Sequence, residues 1–577
     1  MNSHAPRAAV PAPPKPPGDG GSPWPVGPLK LLLIVLLAAA IVPFFVKLGD
    51  SSIWDANEAY YVESPRELLE SGDWINISFN YEPRLNKPVL SYWIVAGLYR
   101  VFGVSITVER AAIAGLAIIM IIAVWFLARA ASPHPLAPLL AALGLAVGPR
   151  FFMFSRRIFI DMAVTTMMTL TLLFFALSER YPSRRRLFLA LMYVSVGLGV
   201  LTKGPVAAVI PFLVFIAYLA VHRELGRLRE MMIPAGTLIA LLIVAPWYLA
   251  LYQQHGWTYI TGFFIGENVG RFTETIGVQE RGPFFYLPVL FHDMLPWSLC
   301  LPAIISTWKH DRRSQQHPSI RLRTLLLLWI GVTVALFSMS QTKQDLYIFP
   351  IVAAVAALGG DWVARFVGPR QPDQRALWFT GTLSVVGIVM VFLGGAVLYF
   401  FGGDTPVFPI RGAQTSAWMV IAGGVLVATL PWLRRNVAAV MTGLVTLIAF
   451  NWILALRVLP AFEQYKPVVP LSRAIAERAG PSDVIAHSEL ALPSMVYYLR
   501  RHIEDDLYPD QLRELLRSDR RVFAVLPADR YETEKAKYGV DTCVVARHLT
   551  ADIKLRSLLV ERSAPPEVIV VTNRCPP

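Results

Sequence analysis

The sequence predicts a polytopic α-helical membrane protein of about thirteen spans, followed by a small extracytoplasmic α/β domain. Three observations predict this fold class. Hydrophobic residues make up 55% of the 577 residues and charged residues only 16%, whereas a soluble domain has about 25% charged residues. Apolar runs too long for core helices recur between residues 29 and 457. The loops between these runs fall into a strongly basic set and a set of mixed charge.

The chain begins with a stretch, residues 1–28, that is rich in Pro, Ala and Gly and predicts a disordered cytoplasmic tail. The apolar run after it lacks a small-residue cleavage site, so we expect an anchor and not a removed signal peptide. The stretch 87–103 is short and contains Arg100, which predicts a juxtamembrane helix at the interface. The predicted spans are 29–47, 107–130, 136–154, 159–178, 187–202, 205–221, 232–252, 287–307, 322–340, 346–366, 377–401, 416–433 and 436–457.

The basic loops predict the orientation of these spans. With the N-terminus inside, every predicted cytoplasmic loop carries an excess of Lys and Arg, as the positive-inside rule requires. These loops are 179–186, 222–230, 308–323, 365–375 and 434–435. Counting 87–103 as a span would invert most of them. The net charge of +13 therefore reflects topology, and we predict no nucleic-acid partner.

The last segment, 458–577, has ordinary charge density and lies outside in this topology. Short apolar runs such as "RVFAVLP" and "EVIVVT" predict strands, and "LSRAIAERAG" and "DQLRELLRSD" predict helices. The chain thus divides into the tail 1–28, a transmembrane domain 29–457 and an outer α/β domain 458–577. Cys543 and Cys575 lie in the outer domain, where they could form a disulfide, whereas Cys300 lies in an apolar run and is expected to be a packing residue.

Charged residues in the predicted outer loops are the candidate functional residues. Charge beside the hydrocarbon is costly and usually marks a site. Cations next to carboxylates suit an anionic lipid head group, because the cations hold phosphate while a carboxylate handles the acceptor or a metal. The residues are Asp55, Glu58, Lys87, Arg156, Arg157, Asp161, Lys203, Glu267, Arg271, Glu274, Lys343 and Asp345, and Tyr347 follows them.

Each of these residues also has a purely structural explanation. Asp55 and Glu58 could favour the first turn of a helix through its dipole. Lys203 and Lys343 could be snorkelling side chains at the ends of spans. Arginines such as Arg157 could contact lipid head groups. A common site is favoured because independent placements would scatter over both sides of the membrane.

The motifs of the outer loops resemble a known family. "WDANEAYYVESPRELLESGDW" followed by "NKPVLSYW" resembles the first outer loop of bacterial membrane glycosyltransferases of the C superfold. This family is related to protein O-mannosyltransferases and to the 4-amino-4-deoxy-L-arabinose transferases that modify lipid A. The resemblance continues through Asp161, "LTKGP", "GRF", "GPFFYLPVLFHDMLPW" and "SQTKQDLYIFP", and it covers most of residues 29–366.

The resemblance implies an inverting transfer of a hexosyl or pentosyl group from a polyprenyl (undecaprenyl) phosphate carrier to an acceptor outside the cytoplasmic membrane. It implies that Lys87, Arg271 and Tyr347 bind the carrier phosphate and that Lys203 and Asp161 line the same cavity. Tyr61 and Lys343 complete the expected substrate-binding residues. The catalytic candidates are Asp55, Glu58 and Asp161.

The first outer loop departs from the family at one position. The arabinosamine transferases have adjacent Asp and Glu nine and eight residues before the Arg of "REML". Counting back from Arg66 gives Asn57 and Glu58, and Asp55 comes two residues early. We expect Asp55 to be the main carboxylate and Glu58 the second.

Several alternatives stay open. The acceptor could be lipid A, another envelope glycan or, for an enzyme like the protein O-mannosyltransferases, a protein. A ligase that moves a whole glycan would keep a similar cavity, a transporter would bury charge at the midplane, and a scaffold would not explain the charged cluster. The residues indicate no cofactor with certainty, and a divalent metal near His255 or His292 is possible. We expect a monomer in contact with membrane lipids, in the bacterial inner membrane, with its site and outer domain facing the periplasm.

Overall fold

A computed structural model describes residues 26–55, 57–275, 280–314, 318–367, 373–402, 408–550 and 565–575. The predicted tail, 1–28, lies almost entirely outside these ranges. The helices are α1 Val26–Ile41, α2 Ala59–Ser71, α3 Leu90–Phe102, α4 Ile106–Ala131, α5 Ala137–Val147, α6 Pro149–Phe154, α7 Phe159–Arg180, α8 Arg185–Lys203, α9 Val206–Val221, α10 Ile233–His255, α11 Trp257–Thr261, α12 Arg271–Thr273, α13 Tyr286–Asp293, α14 Trp297–Ser314, α15 Pro318–Met339, α16 Val352–Val367, α17 Asp373–Val397, α18 Ala413–Thr429, α19 Asn436–Ile453, α20 Leu459–Ala461, α21 Val468–Ala476, α22 Met495–Leu499, α23 Pro509–Leu516 and α24 Ala528–Tyr538.

The membrane domain is built from long apolar helices. Within the described ranges, 10 helices are long and apolar enough to cross a membrane, and a pair bent by 104°, Pro283–Asp293 with Trp297–Arg312, would make an eleventh span. The shorter apolar helices include α3, α5 and α9. Every predicted span overlaps one of the long helices, the bent pair, α5 or α9. The fold class is therefore confirmed, whereas the number of spans and the interfacial placement of α3 stay predictions.

Short helices and glycines bring the centre of the bundle together. Every residue of α5 is buried, so this helix lies within the protein. On α16, a Cβ atom at Gly360 would collide with the backbone of Ala141, so the two helices pack with no side chain between them. The side chain of Trp297 fills the adjacent space between Gly144 and Gly359 and donates from Nε1 to the Gly144 carbonyl at 3.0 Å.

The outer domain contains a five-stranded sheet. The short hairpin of the first outer loop pairs β1 (Ser78–Phe79) with β2 (Glu82–Pro83), and the sheet consists of β3 Val484–Ser488, β4 Glu504–Leu507, β5 Val522–Pro527, β6 Cys543–Leu549 and β7 Glu567–Thr572. Its strand order is β4-β3-β5-β7-β6, with β3 parallel to β4 and β5, and β7 antiparallel to β5 and β6. Apolar side chains of α21 and α22 cover one face, and those of α23 and α24 cover the other. Cys543 and Cys575 form a disulfide.

The outer domain is joined to the first outer loop by hydrogen bonds. The Asn80 side chain donates to the carbonyl of Ile503 at 2.7 Å and accepts from its N–H at 2.9 Å, which imitates a strand pair. The N–H of Ile53 donates to the hydroxyl of Tyr498 at 2.9 Å. Contacts with the outer domain therefore help to fix the first outer loop.

Candidate active site

Charged side chains from four outer loops meet in one cluster, which we name the Lys87 group. Its members are Lys87, Asp161, Lys203, Glu267, Arg271 and Tyr347. The Nζ atom of Lys87 lies 2.9 Å from Oε2 of Glu267, and Nε of Arg271 lies 3.1 Å from the same oxygen. One carboxylate therefore holds two cations, and five of the nine residues predicted from the sequence come together here.

Lys203 and Asp161 form the second half of the Lys87 group. The two side chains form an ion pair between the end of α8 and the start of α7. The ammonium of Lys203 also lies 5.8 Å from the ring centre of Tyr347. Gly204, at φ 95°, ends α8 directly after Lys203, so that the lysine lies in the last turn of its helix, where a cation is favoured.

Backbone hydrogen bonds fix Arg271. The N–H of Thr342 and the hydroxyl of Ser340 donate to the Arg271 carbonyl at 3.0 and 3.1 Å. The N–H of Gln341 donates to the carbonyl of Phe272 at 2.9 Å. These bonds bind the fourth outer loop to the fifth, which also carries Tyr347.

The electrostatics of the group follow from its burial. Burial lowers the pKa of Lys87, and the attraction of Glu267 opposes this shift only in part. Burial acts to raise the pKa of Glu267, but Lys87 and Arg271 outweigh it and lower that pKa. Within the group, Lys87 and Arg271 thus share the ionised carboxylate of Glu267. An anionic ligand can bind the same two cations by replacing this carboxylate.

The carboxylates of the first outer loop belong to a neighbouring set, which we name the Asp55 group. Its members are Trp54, Asp55, Glu58, Arg110, Arg157, Glu463 and Lys466. Glu58 is 1% exposed, and its oxygens accept from Nε and Nη2 of Arg110 at 2.6 and 3.0 Å and from the Trp54 N–H at 2.7 Å. All of these contacts are internal to the fold and fix the position of Glu58, and its catalytic role stays a prediction.

Asp55 has a different environment. Its Oδ1 atom accepts from the N–H of Ser494, in the outer domain, at 2.8 Å. Burial raises the pKa of Asp55 to about 6, although the Ser494 contacts and Lys466 oppose the shift. A carboxylate with this pKa is ionised at neutral pH and can still accept a proton, as a general base must.

The remaining predicted residues lie at the edge of these groups. Tyr61 is buried and stacks on Tyr92 and Phe159, with ring centres 5.3 and 6.2 Å away. Lys343 is buried, and its ammonium donates to the carbonyl of Ser340 at 2.5 Å. Neither forms an ion pair with a member of the Lys87 group in the described ranges, so both stay predictions as substrate-binding residues.

Sequence reasoning missed one contributor to the Lys87 group and passed over a neighbouring arginine. Glu267 was noted in its loop, but its role as the shared partner of Lys87 and Arg271 was not predicted; its spacing four residues before Arg271 on a helical turn is the signal that could have indicated it. Arg84 was overlooked although it lies three residues before Lys87. Its guanidinium carbon lies 3.5 Å from the ring centre of Tyr60.

The residues considered for a metal do not form one site. In the part of the chain that the structure describes, no three His, Cys, Asp or Glu side chains are placed to hold an ion. Nε2 of His255 lies 2.6 Å from Oδ1 of Asn76, and Nδ1 of His292 lies 2.6 Å from Asp293. We therefore derive no chemical step from a metal.

Comparison with known proteins places this arrangement in a family. Residues 86–249 match the family model described as dolichyl-phosphate-mannose-protein mannosyltransferase. The chain is 28% identical over 482 residues to an undecaprenyl phosphate-alpha-4-amino-4-deoxy-L-arabinose arabinosyl transferase of Pseudomonas paraeruginosa, which covers 81% of this chain and 83% of the relative. It is 30% identical over 378 residues to an uncharacterized protein of Aquifex aeolicus, which covers 64% of this chain and 72% of the relative.

A solved structure has the same fold as this chain. The crystal structure of ArnT from Cupriavidus metallidurans, bound to undecaprenyl phosphate, superposes with a TM-score of 0.74 at 20% identity, covering 95% of this chain and 98% of that one. From the apolar helices and the similarity to these relatives we conclude that the chain is a multi-span enzyme of the inner membrane. The chain is thus a membrane glycosyltransferase that is similar to the undecaprenyl phosphate-aminoarabinose arabinosyl transferases and, over residues 86–249, to the mannosyltransferase model.

Proposed function

We propose that the protein transfers a sugar from a polyprenyl phosphate carrier to an acceptor at the outer face of the inner membrane. Lipid A is the first candidate for this acceptor, and another envelope glycan is the next. The observation that carries this proposal is the Lys87 group, in which two cations share one carboxylate. The names of the relatives, which include undecaprenyl phosphate and an arabinosyl group, support a carrier lipid as donor.

The carrier phosphate binds between Lys87 and Arg271 and takes the place of Glu267. Breaking the bond between the anomeric carbon and the phosphate oxygen leaves its electron pair on the phosphate, and the two cations stabilise the developing charge. Lys203, held by Asp161, adds a third positive charge beside Tyr347. Polyprenyl phosphate is the leaving group of a single displacement, in which the acceptor oxygen bonds to the anomeric carbon as the bond to the phosphate breaks.

The acceptor oxygen attacks the anomeric carbon from the opposite face, so the configuration inverts. If this oxygen belongs to a hydroxyl, Asp55 accepts its proton, a contribution of about 10²–10⁴-fold. If it belongs to a phosphate, no base is needed and positioning accounts for the rate. Because the oxygens of Glu58 are held by Arg110 and by the Trp54 N–H, we assign this step to Asp55 and keep Glu58 as the second candidate.

We further propose that the site and the outer domain face the periplasm. The disulfide between Cys543 and Cys575 supports this orientation, because disulfides persist in oxidising compartments. The basic loops at the opposite ends of the spans support it as well. A protein acceptor is the second candidate, because the matching family model is described as a protein mannosyltransferase.

Release of the carrier lipid tests the proposal. The purified protein receives polyprenyl-phosphate-sugar from the native membrane, and mass spectrometry measures free polyprenyl phosphate, first alone and then with lipid A, other envelope glycans or a protein fraction. Acceptor-dependent release by the wild type, lost in Lys87→Ala and kept in Lys47→Ala, is the expected result. Absence of release and of carrier binding under every condition would refute it, and a transport assay would follow.

A further inference from the structure

Two cations lie over the ring of Trp54, the residue before Asp55. The guanidinium carbon of Arg157 is 4.0 Å from the ring centre, and Nζ of Lys466 is 4.2 Å from it. Cation–π contacts of this kind hold charge against an aromatic face without neutralising it. The pair therefore keeps its positive charge next to a candidate catalytic carboxylate.

The cations near Trp54 differ in their partners. Arg110 is paired with Glu58. Arg156 donates to the carbonyls of Pro43, Val46 and Lys47. Lys466 donates to the carbonyl of Ser52 at 2.8 Å and lies 3.5 Å from Glu463.

Arg157 is the exception. Its guanidinium reaches the sulfur of Met153 at 3.3 Å, and it has no oxygen partner among the residues that the structure describes. A guanidinium carries five donors, and burying part of it without an oxygen acceptor is costly. Burial lowers the pKa of Arg157 to about 9, in keeping with this cost, although Glu58 opposes the shift. The side chain is only half-buried, so a ligand can still reach it.

The position of Arg157 links it to both groups of the site. It lies four residues before Asp161, which belongs to the Lys87 group. Trp54, over which it lies, directly precedes Asp55. The charges that act on Arg157 are those of Glu58, Arg110 and Arg156, and none of these residues belongs to the Lys87 group. An anion at Arg157 would therefore lie in the Asp55 group, close to the carboxylate that we assign to the acceptor.

We propose that Arg157, together with Lys466, forms a second anion site that binds an acidic group of the acceptor, namely a phosphate of a phosphorylated glycolipid. This inference rests on the proposed function and assigns acceptor recognition to these two residues. The planar guanidinium matches phosphate oxygens two at a time, and Lys466 adds a point charge.

The test separates acceptor binding from carrier binding. Full-length protein in detergent is titrated with bisphosphorylated lipid A, with the same lipid after phosphatase treatment, and with polyprenyl phosphate. Arg157→Gln and Lys466→Gln should each weaken binding of the phosphorylated lipid by about tenfold or more, the loss expected for one charge-assisted hydrogen bond. Their affinities for the dephosphorylated lipid and for polyprenyl phosphate should equal those of the wild type.

Two controls sharpen the result. Arg157→Lys should recover part of the affinity, and Arg100→Gln, a change at an exposed arginine, should bind both lipids like the wild type. Equal loss for both lipids would overturn the proposal and indicate a neutral acceptor or a purely structural contact. A wild type that does not distinguish the two lipids would overturn it without any variant. Failure of the transfer reaction itself appears in the carrier-release assay and leaves these binding results readable.

Discussion

Replacing Lys87 by methionine removes one of the two cations that would hold the carrier phosphate while keeping the apolar stem. Its ammonium lies 2.9 Å from Glu267, within hydrogen-bond distance of the position that the phosphate would take. A hydrogen bond between charged groups contributes about 1.5–3 kcal/mol, so polyprenyl phosphate should bind roughly 10–150-fold more weakly. Calorimetric titration of the detergent-purified protein with polyprenyl phosphate measures this change.

Glu267 provides an internal check on this reasoning. Its carboxylate competes with the phosphate for the same cations, so Glu267→Gln should tighten carrier binding and, in the Lys87→Met background, recover part of the loss. Lys47, which is exposed and lies 3.3 Å from Asp50, is the matched control, and Lys47→Met should bind the carrier like the wild type. Unchanged carrier affinity in Lys87→Met, with Lys87→Arg also unchanged, would refute the phosphate role of the Lys87 group.

Four further changes test the Asp55 group and the outer domain. Because burial raises the pKa of Asp55 to about 6, kcat/KM for a hydroxyl acceptor should fall as the pH drops below 6. The Asp55→Asn variant should have a low kcat/KM that does not fall further in this pH range. Because burial lowers the pKa of Lys466 to about 8, although Glu463 opposes the shift, kcat/KM for a phosphorylated acceptor should fall above pH 8, and Lys466→Arg should remove the fall. Glu58→Gln leaves a buried arginine unpaired and should cost about 3–5 kcal/mol of stability, seen as a lower melting temperature, while carrier binding is kept. Replacing Cys543 and Cys575 by serine opens a loop with a sequence separation of 32 and should destabilise the outer domain by about 3–4 kcal/mol in urea unfolding.

Each of these expectations has an outcome that contradicts it. A pH profile that Asp55→Asn leaves unchanged would remove that residue from proton transfer. An alkaline limb that persists in Lys466→Arg would belong to another group. If Glu58→Gln keeps normal stability but loses activity, the result would support a catalytic role for Glu58. A reductant that leaves the urea midpoint unchanged would show that the disulfide adds no stability.

The sequence predicted the membrane fold well because its signals are local. Runs of apolar residues and basic loops indicate helices and their ends directly, and each predicted span has a helical counterpart. The helix lengths were less predictable: α5 was expected within a span at 136–154 but ends at Val147, directly before Gly148 and Pro149, and a separate short helix follows. Packing of a buried helix, and not membrane thickness, determines that length.

The candidate site was predictable in its membership and not in its pairing. Charge in outer loops indicated Lys87, Asp161, Lys203 and Arg271, because each is costly beside hydrocarbon. The ion pair between Lys87 and Glu267 joins residues 180 positions apart, and no periodicity of the chain indicates such a partner. The contact of Asp55 with the outer domain spans 439 positions and was hidden for the same reason.

The hydrogen-bonded contact between Asn80 and Ile503 has a consequence for the order in which the protein folds. It joins residues 423 positions apart, and the contacts of Asp55 and Ile53 with the outer domain are of similar range. The first outer loop is therefore synthesised long before the residues that it contacts in the outer domain. Contacts between residues so far apart in sequence form late in folding. The Asp55 group thus cannot form during synthesis of the membrane helices, and we expect a chain cut short before the outer domain to be inserted but inactive.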